Sequence, residues 1–410
     1  DGNSSYLRLP RGALKDLEEL ESNATAAFVL TEIPDTIRPN ITSAVLSYGT
    51  GILILICSET IDSTPNNKVN LSKIFISDAP KNFTIPLIGG NVVEADDTNL
   101  TMVLTEETRV AAVRTSTFAP NGDGDIPAID LQFGAIMDVG QNKILETTGI
   151  EVIEIPDNIA PVLVTATMNF SLGELDLAFK ETLDITPIVR FNVSKIHFAN
   201  TSVNGDGSFA LDGLFGGGAT LASAIVDAPS LKFFLSEEQR TTLLEMSGVP
   251  GGDGHASFIN IYQSAFEDLF LNPNIAGSSL MIEHPDIITP TIKKINIYLG
   301  EGGIGCAYRR CAYINFIFSE FIETDTAKVN LSCAYISNNA NFTSKNISLK
   351  GAFVSSIYKY EMNVTLTEQQ RVEIIAISGT PGGDNISTVG NFLTGFVVDR
   401  SGLPLQFITG

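Results

Sequence analysis

A proline-bracketed hexapeptide, Pro-Asp-x-Ile-x-Pro, occurs three times in the chain, at residues 34–39, 156–161 and 285–290, each time after a glutamate and one further residue. Two prolines five positions apart remove two backbone donors and fix two φ angles. Such a segment cannot lie inside a sheet and is expected to be a stiff, extended joint between packed units. The joints recur about every 125 residues, so a chain of 410 residues reads as a tandem array. The expected division is an N-terminal extension at 1–25, a short strand at 26–33, and three domains at 34–155, 156–284 and 285–410.

The three repeats align motif by motif. Each soon reaches a strand with larger apolar residues at every second position: Leu53, Leu55 and Cys57 before Glu59; Leu175, Leu177 and Phe179 before Glu181; Ile314, Phe316 and Phe318 before Glu320. Period two predicts a half-buried strand. A sequon-bearing segment follows, VNLSKI at 69–74, FNVSKI at 191–196 and VNLSCA at 329–334. Next, a hydroxyl before acidic residues (Thr105, Ser236 and Thr367, with Arg109, Arg240 and Arg371 four positions on) predicts the cap and first turn of a short helix. A turn rich in Pro, Gly and Asp and a strand into Asp138, Asp268 or Asp399 complete the pattern. Gly and Pro are plentiful, as short strands joined by turns require.

The predicted fold is all-β: three tandem immunoglobulin-like antiparallel β-sandwiches, each with one crossing helix. The pattern resembles the tandem immunoglobulin-like repeats of large extracellular proteins of microbes and protists, through Ser58-Glu59, Ser319-Glu320 and the turn Asp138-Val139-Gly140-Gln141-Asn142. The middle repeat departs, with Lys180-Glu181 and no glycine after Asp268. The resemblance covers residues 40–410 and implies a structural or adhesive role.

Beyond the terminal Asp the three repeats differ. Strands are expected at 150–155 and 278–284, directly before the second and third joints, whereas after Asp399 only a short stretch to Gly410 remains, so the third domain is expected to lack its last strand. Conversely, 26–33 (AAFVLTEI) precedes the first joint with no domain before it that could use it. Phe28 and Leu30 correspond to Ile150 and Val152. A sandwich lacking an edge strand binds extended segments, and a donor on one chain with an acceptor on the next propagates into a filament. The expectation is a head-to-tail homopolymer with Phe28, Val29, Leu30 and Ile33 at the interface. This resembles donor-strand assembly in pilus-type and glycosylated extracellular fibrils. Ile52, Ile54 and Ile56 make the first repeat's outer face apolar, where the middle repeat has Glu174, Asp176 and Ala178. That calls for a cover, either a neighbouring subunit or an amphipathic helix expected at 11–21 on Leu14, Leu17 and Leu20.

Sequons mark the compartment. There are fourteen, at Asn3, Asn23, Asn40, Asn70, Asn82, Asn99, Asn169, Asn192, Asn200, Asn330, Asn341, Asn346, Asn363 and Asn385, against about five expected by chance. The excess predicts a secreted, N-glycosylated extracellular protein. A net charge of −22 argues against nucleic acid as a partner, and no apolar run is long enough for a membrane span. Cys57 takes an inward position and is expected to be a buried free thiol. One disulfide is expected in the third repeat, Cys306 to Cys311 or else Cys311 to Cys333. Asn121, Asp123 and Asp125 have calcium-loop spacing, but Ile126 and Gln132 break the pattern, so a turn is the expectation there and no cofactor is implied. His197, His255 and His284 are scattered, and no nucleophile or phosphate motif appears, so no enzymatic activity is expected. The rival reading is a cell-surface adhesin or receptor ectodomain of self-contained domains that binds a carbohydrate or protein ligand.

Overall fold

A computed structural model describes residues 4–78, 84–202, 208–212, 218–222, 226–300, 312–339 and 346–409. The chain is mostly β, with several antiparallel sheets and three short helices, α1 (Glu106–Val113), α2 (Glu237–Glu245) and α3 (Glu368–Ala376). Among the described residues no helix is long and apolar enough to cross a membrane. It divides between Asn158 and Ile159, inside the second joint, into two compact units. All three Pro-Asp-x-Ile-x-Pro segments lie outside strands and helices, as their missing donors require.

In the unit 1–158, Ile41–Ser47 pairs antiparallel with Ile52–Ile61, which pairs with Asp97–Val103. Facing them, Ile74–Ser77 pairs antiparallel with Ala128–Leu131. Leu53, Leu55 and Cys57 point inward and are buried, along with Ala44, Leu46, Leu100 and Met102 from the neighbouring strands. Ile52, Ile54 and Ile56 are half-buried, flanked across the sheet by Val103, Thr101 and Asn99. The closing strand, Thr147–Ile155, belongs to both sides: Thr147, Ile150 and Glu151 pair antiparallel with Ala128–Leu131, and Val152 to Ile155 run parallel to Ile41–Ser47.

The unit 159–410 holds two separate hydrophobic cores, one drawn from residues between 163 and 281, the other from residues between 292 and 408. The first repeats the plan above. Its closing strand is broken in two: Gly277–Leu280 pairs antiparallel with Phe258–Ile261, and Ile282–His284 runs parallel to Leu163–Asn169. In the second, the first half of that strand is what the described residues include. Ile408–Thr409 pairs with Val389–Phe392, and among the described residues nothing pairs with the outer edge of Ile292–Tyr298. The expectation of a wholly missing last strand is therefore corrected: half of it is present, and the half that runs parallel to the first strand is not among the described residues.

Helices α1 to α3 start at the expected caps, with the Thr105, Ser236 and Thr367 hydroxyls accepting from the backbone three residues on. The helix expected at 11–21 is not formed. Gly12 and Glu19 have left-handed backbones, and the Asp16 carboxylate accepts from Glu18 N and Leu20 N, closing a turn that Leu14, Leu17 and Leu20 leave exposed. Asp138, Asp268 and Asp399 lie beyond the strands expected to reach them, in turns held by single bridges to Ile61, Leu183 and Ile322.

Phe316 centres the last core, edge-on to Phe392 at 5.8 Å and Phe396 at 5.3 Å and fully buried. Phe316→Ala should cost about 3–5 kcal/mol by urea denaturation; a loss under about 1 kcal/mol contradicts this packing.

Candidate functional site

Two features recur at the repeat ends, an arginine on the helix, buried in the first two repeats, and a cluster of carboxylates around the joint. Each arginine is gripped by the glutamate one helical turn earlier: Arg109 by Glu106, Arg240 by Glu237, and Arg371 by Glu368. The guanidinium then reaches a backbone carbonyl at the end of the repeat's own first strand, Tyr48 O for Arg109 and Phe170 O for Arg240. Beyond it lies the aspartate of the following joint. Arg109 Nη1 is 3.4 Å from Asp157, and Arg240 Nη1 is 2.7 Å from Asp286, with Arg240 Nη2 3.0 Å from Glu320. Arg371 sits in the same place, 3.5 Å from Leu299 O, and is half-buried; among the described residues it meets no aspartate of a joint.

The joint aspartates belong to acidic clusters. Asp286, Glu320 and Asp399 each offer a carboxylate oxygen within 4.8 Å of the other two, and all three residues are buried. Asp35, Glu59 and Asp138 do the same in the first unit, where Asp35 is exposed. Gly140 allows the approach, since a Cβ there would come within 3.0 Å of Asp35 Cβ. The Asp138 carboxylate accepts from Asn142 N and Nδ2, and Asp35 Oδ1 accepts from Ile37 N. No basic side chain is paired with this cluster among the described residues.

Electrostatics reflect the crowding. Burial raises the Glu320 carboxyl to about 7, with Asp399, Asp286 and Glu237 adding to the rise and Arg240 opposing it. Burial likewise raises Asp399, and in the first unit it raises Glu59, with Asp138 and Asp35 contributing.

Around the middle joint of the unit 159–410, Phe321 N donates to Glu237, Lys359 pairs with Glu238 at 3.1 Å, and Gly251 lies against Arg400, where a Cβ would come within 2.5 Å of the Arg400 carbonyl. Gly382 is the matching glycine of the third repeat. A Cβ there would meet only Ile375, at 3.6 Å.

The expected interface segment is exposed: Phe28 is 57%, Val29 63%, Leu30 44% and Ile33 90% accessible. Phe28–Val29 pairs only with Tyr6–Leu7, a two-stranded ribbon with no core of its own. Counting back from the joints, Leu30 matches Val152 and Met281, which are 4% and 3% accessible. Glu32 matches Glu154 and Glu283, whose carboxylates accept from Thr117 N, and from Gly248 N and Ser257 N.

Of the sequons, Asn3, Asn82 and Asn341 lie outside the described residues. Asn23, Asn40, Asn70, Asn99, Asn192, Asn200, Asn330 and Asn385 are exposed, and Asn169, Asn346 and Asn363 are half-buried. In the repeated segment Asn70, Asn192 and Asn330 cap a 3₁₀ turn through Oδ1, which leaves the glycosyl-accepting nitrogen out of the bond. Asn363 Nδ2 and Asn200 Nδ2, in contrast, donate to Ser356 and Asp253. Cys57 is a buried free thiol pushed up to about 12 by burial, and Cys333 is also free; Cys306 and Cys311 lie outside the described residues. Asp123 accepts from Asp125 N in an exposed turn beside Asn121, and Asp253 and Asp384 make the same turn.

No protein-family model and no curated protein matches the chain.

The raised Glu320 pKa gives a pH dependence of definite sign. The folded state keeps this proton up to about 7, whereas the unfolded chain loses it near 4.5, so the stability it contributes is full below 4.5 and is lost as pH rises through 7. In metal-free buffer the melting temperature of the 159–410 unit should fall between about pH 4.5 and 7 and level off above, and Glu320→Gln should flatten that decline. Equal slopes in the two proteins contradict it.

Proposed function

We propose that this chain is a structural subunit of an extracellular, N-glycosylated filament, built of three immunoglobulin-like domains and joined head to tail by strand donation. The observation that carries the reading is a mismatch between repeats. Ala44 and Leu46, and Ala166 and Met168, are fully buried beneath a parallel closing strand, whereas the matching Ile295 and Ile297 are half-buried along an open edge. Leu30, exposed in its own chain, is of the type and at the register that this edge accommodates.

The two closed repeats supply the register. Val152 opposite Ala44 and Glu154 opposite Leu46 translate to Leu30 opposite Ile295 and Glu32 opposite Ile297. Glu32 then faces the amides of Gly379 and Thr388, the counterparts of those that Glu283 caps. Asp35 arrives at Arg371, as Asp286 does at Arg240. In that register Phe28 comes directly after the strand pairing of Thr409 with Asn391, so the inserted segment is 29–33 and Phe28 lies at its mouth. The sequon excess and the exposure of most described sequon asparagines support the extracellular, glycosylated part.

Parallel pairing, one buried leucine and a charge-assisted clasp should together make Leu30→Asp abolish filaments in negative-stain microscopy while the chain still melts cooperatively. Arg371→Asp should weaken assembly, and Asp35→Arg in the same chain should restore part of it. Filaments of unchanged length from the Leu30→Asp protein contradict the reading.

A further inference from the structure

Two buried carboxylate oxygens of the acidic clusters, Asp399 Oδ2 and Glu59 Oε1, lack a hydrogen-bond partner among the described residues. Asp399 is 1% accessible. Its Oδ1 accepts from the Ser401 hydroxyl at 2.7 Å and from Leu403 N at 2.8 Å, while Oδ2 faces no donor. A buried acceptor left without a donor is costly, and a native protein that keeps one holds a water or an ion beside it. The surrounding charge favours an ion. Among the described residues Arg240 is the one guanidinium paired with Asp286 and Glu320, and it is shared with Glu237, while Arg400 turns to Glu245 and Glu323, so neither arginine is paired with Asp399.

We propose that Asp286, Glu320 and Asp399 bind a calcium ion, and that Asp35, Glu59 and Asp138 bind a second. The three carboxylates of each set come from three separate segments: the joint, the end of the alternating strand, and the turn after the last core strand. All the donors are oxygens, which suits a hard divalent cation. Calcium accepts six to eight oxygens in flexible arrangements, whereas magnesium demands a tight octahedron and keeps its waters, so ligands gathered from three segments fit calcium better. Arg240 donates to Asp286 Oδ2 and Glu320 Oε2, and Asp286 Oδ1 accepts from Ile288 N, so Asp286 would reach the ion through a lone pair beside one of these bonds. At the first cluster no guanidinium is paired among the described residues, and the ion offsets the charge.

The ion would tie each joint to the repeat that follows it. Asp286 precedes the third core and Glu320 and Asp399 belong to it; Asp35 stands in the same relation to Glu59 and Asp138. A Pro-Asp-x-Ile-x-Pro segment fixes its own φ angles but makes no sheet bonds, so a metal at its aspartate is what holds its direction relative to the domain. The middle repeat carries the same three residue types at Asp157, Glu181 and Asp268. The site lies within one chain and does not depend on filament formation.

Chelator-stripped chain, kept dispersed as monitored by light scattering, should take up calcium in isothermal titration calorimetry with a Kd between roughly 10 μM and 1 mM. Calcium should also raise the melting temperature by about 5 °C. Asp399→Asn and Glu59→Gln should each lower the stoichiometry by one and weaken the affected site at least tenfold. Should Asp399→Asn fail to fold, Glu59→Gln, at a partly exposed position, carries the test alone. No uptake at about 10 mM calcium, or stoichiometry unchanged in Glu59→Gln, overturns the proposal. An equal melting shift from magnesium at the same concentration overturns the assignment to calcium.

Discussion

Thr147–Ile155 bonds to both sides of its core, antiparallel to Ala128–Leu131 with its first half and parallel to Ile41–Ser47 with its second. Most other features depend on that strand. It seals the edge where Ala44 and Leu46 would otherwise meet water, and its glutamate, Glu154, is fixed by Thr117 N and the Tyr48 hydroxyl. It runs directly into the joint whose aspartate meets Arg109. The strand that closes this core thus also leads into the joint, and where the parallel half is not among the described residues, the matching edge at Ile292–Tyr298 has no partner there.

The joint of the 159–410 unit shows what that coupling achieves. Arg240 bridges Glu237 of its own helix, Asp286 of the joint and Glu320 of the next repeat, all little exposed. Buried ion pairs contribute little net stability, because desolvation offsets most of the Coulomb gain, but removing one partner is costly. Arg240 thus ties three segments far apart in the sequence, residues 237, 286 and 320, at one point. Carboxylates outnumber arginine at this place, and Glu320 is raised to about 7 first by its burial and then by Asp399, Asp286 and Glu237 beside it, against the opposing pull of Arg240.

Period two in Leu53-Leu55-Cys57 and its counterparts made the inner faces readable from sequence, because burial on one side of a strand leaves a local mark. The caps Thr105, Ser236 and Thr367 were readable for the same reason. Leucine spacing at 11–21 misled, since Gly12 and the Asp16 turn outweigh a weak amphipathic pattern. The acidic clusters were visible only as separate repeat markers. Asp286 and Asp399 are more than a hundred residues apart, and nothing local says that a joint, a strand end and a turn converge. Sequon counting overstated its case in one respect: Asn70, Asn192 and Asn330 also serve as caps of a repeated 3₁₀ turn, which gives Asn-x-Ser a structural reason to recur.

In the proposed filament, residues 29–33 of one chain lie along Ile292–Tyr298 of another, with Leu30 opposite Ile295. The most direct measurement mixes two single-site variants, Leu30→Cys in one chain and Ile295→Cys in the other, under mild oxidation. Strand donation at this register predicts a disulfide-linked dimer that forms only in the mixture, with the cross-linked peptide containing positions 30 and 295. Absence of that dimer from a mixture that still forms filaments would contradict it.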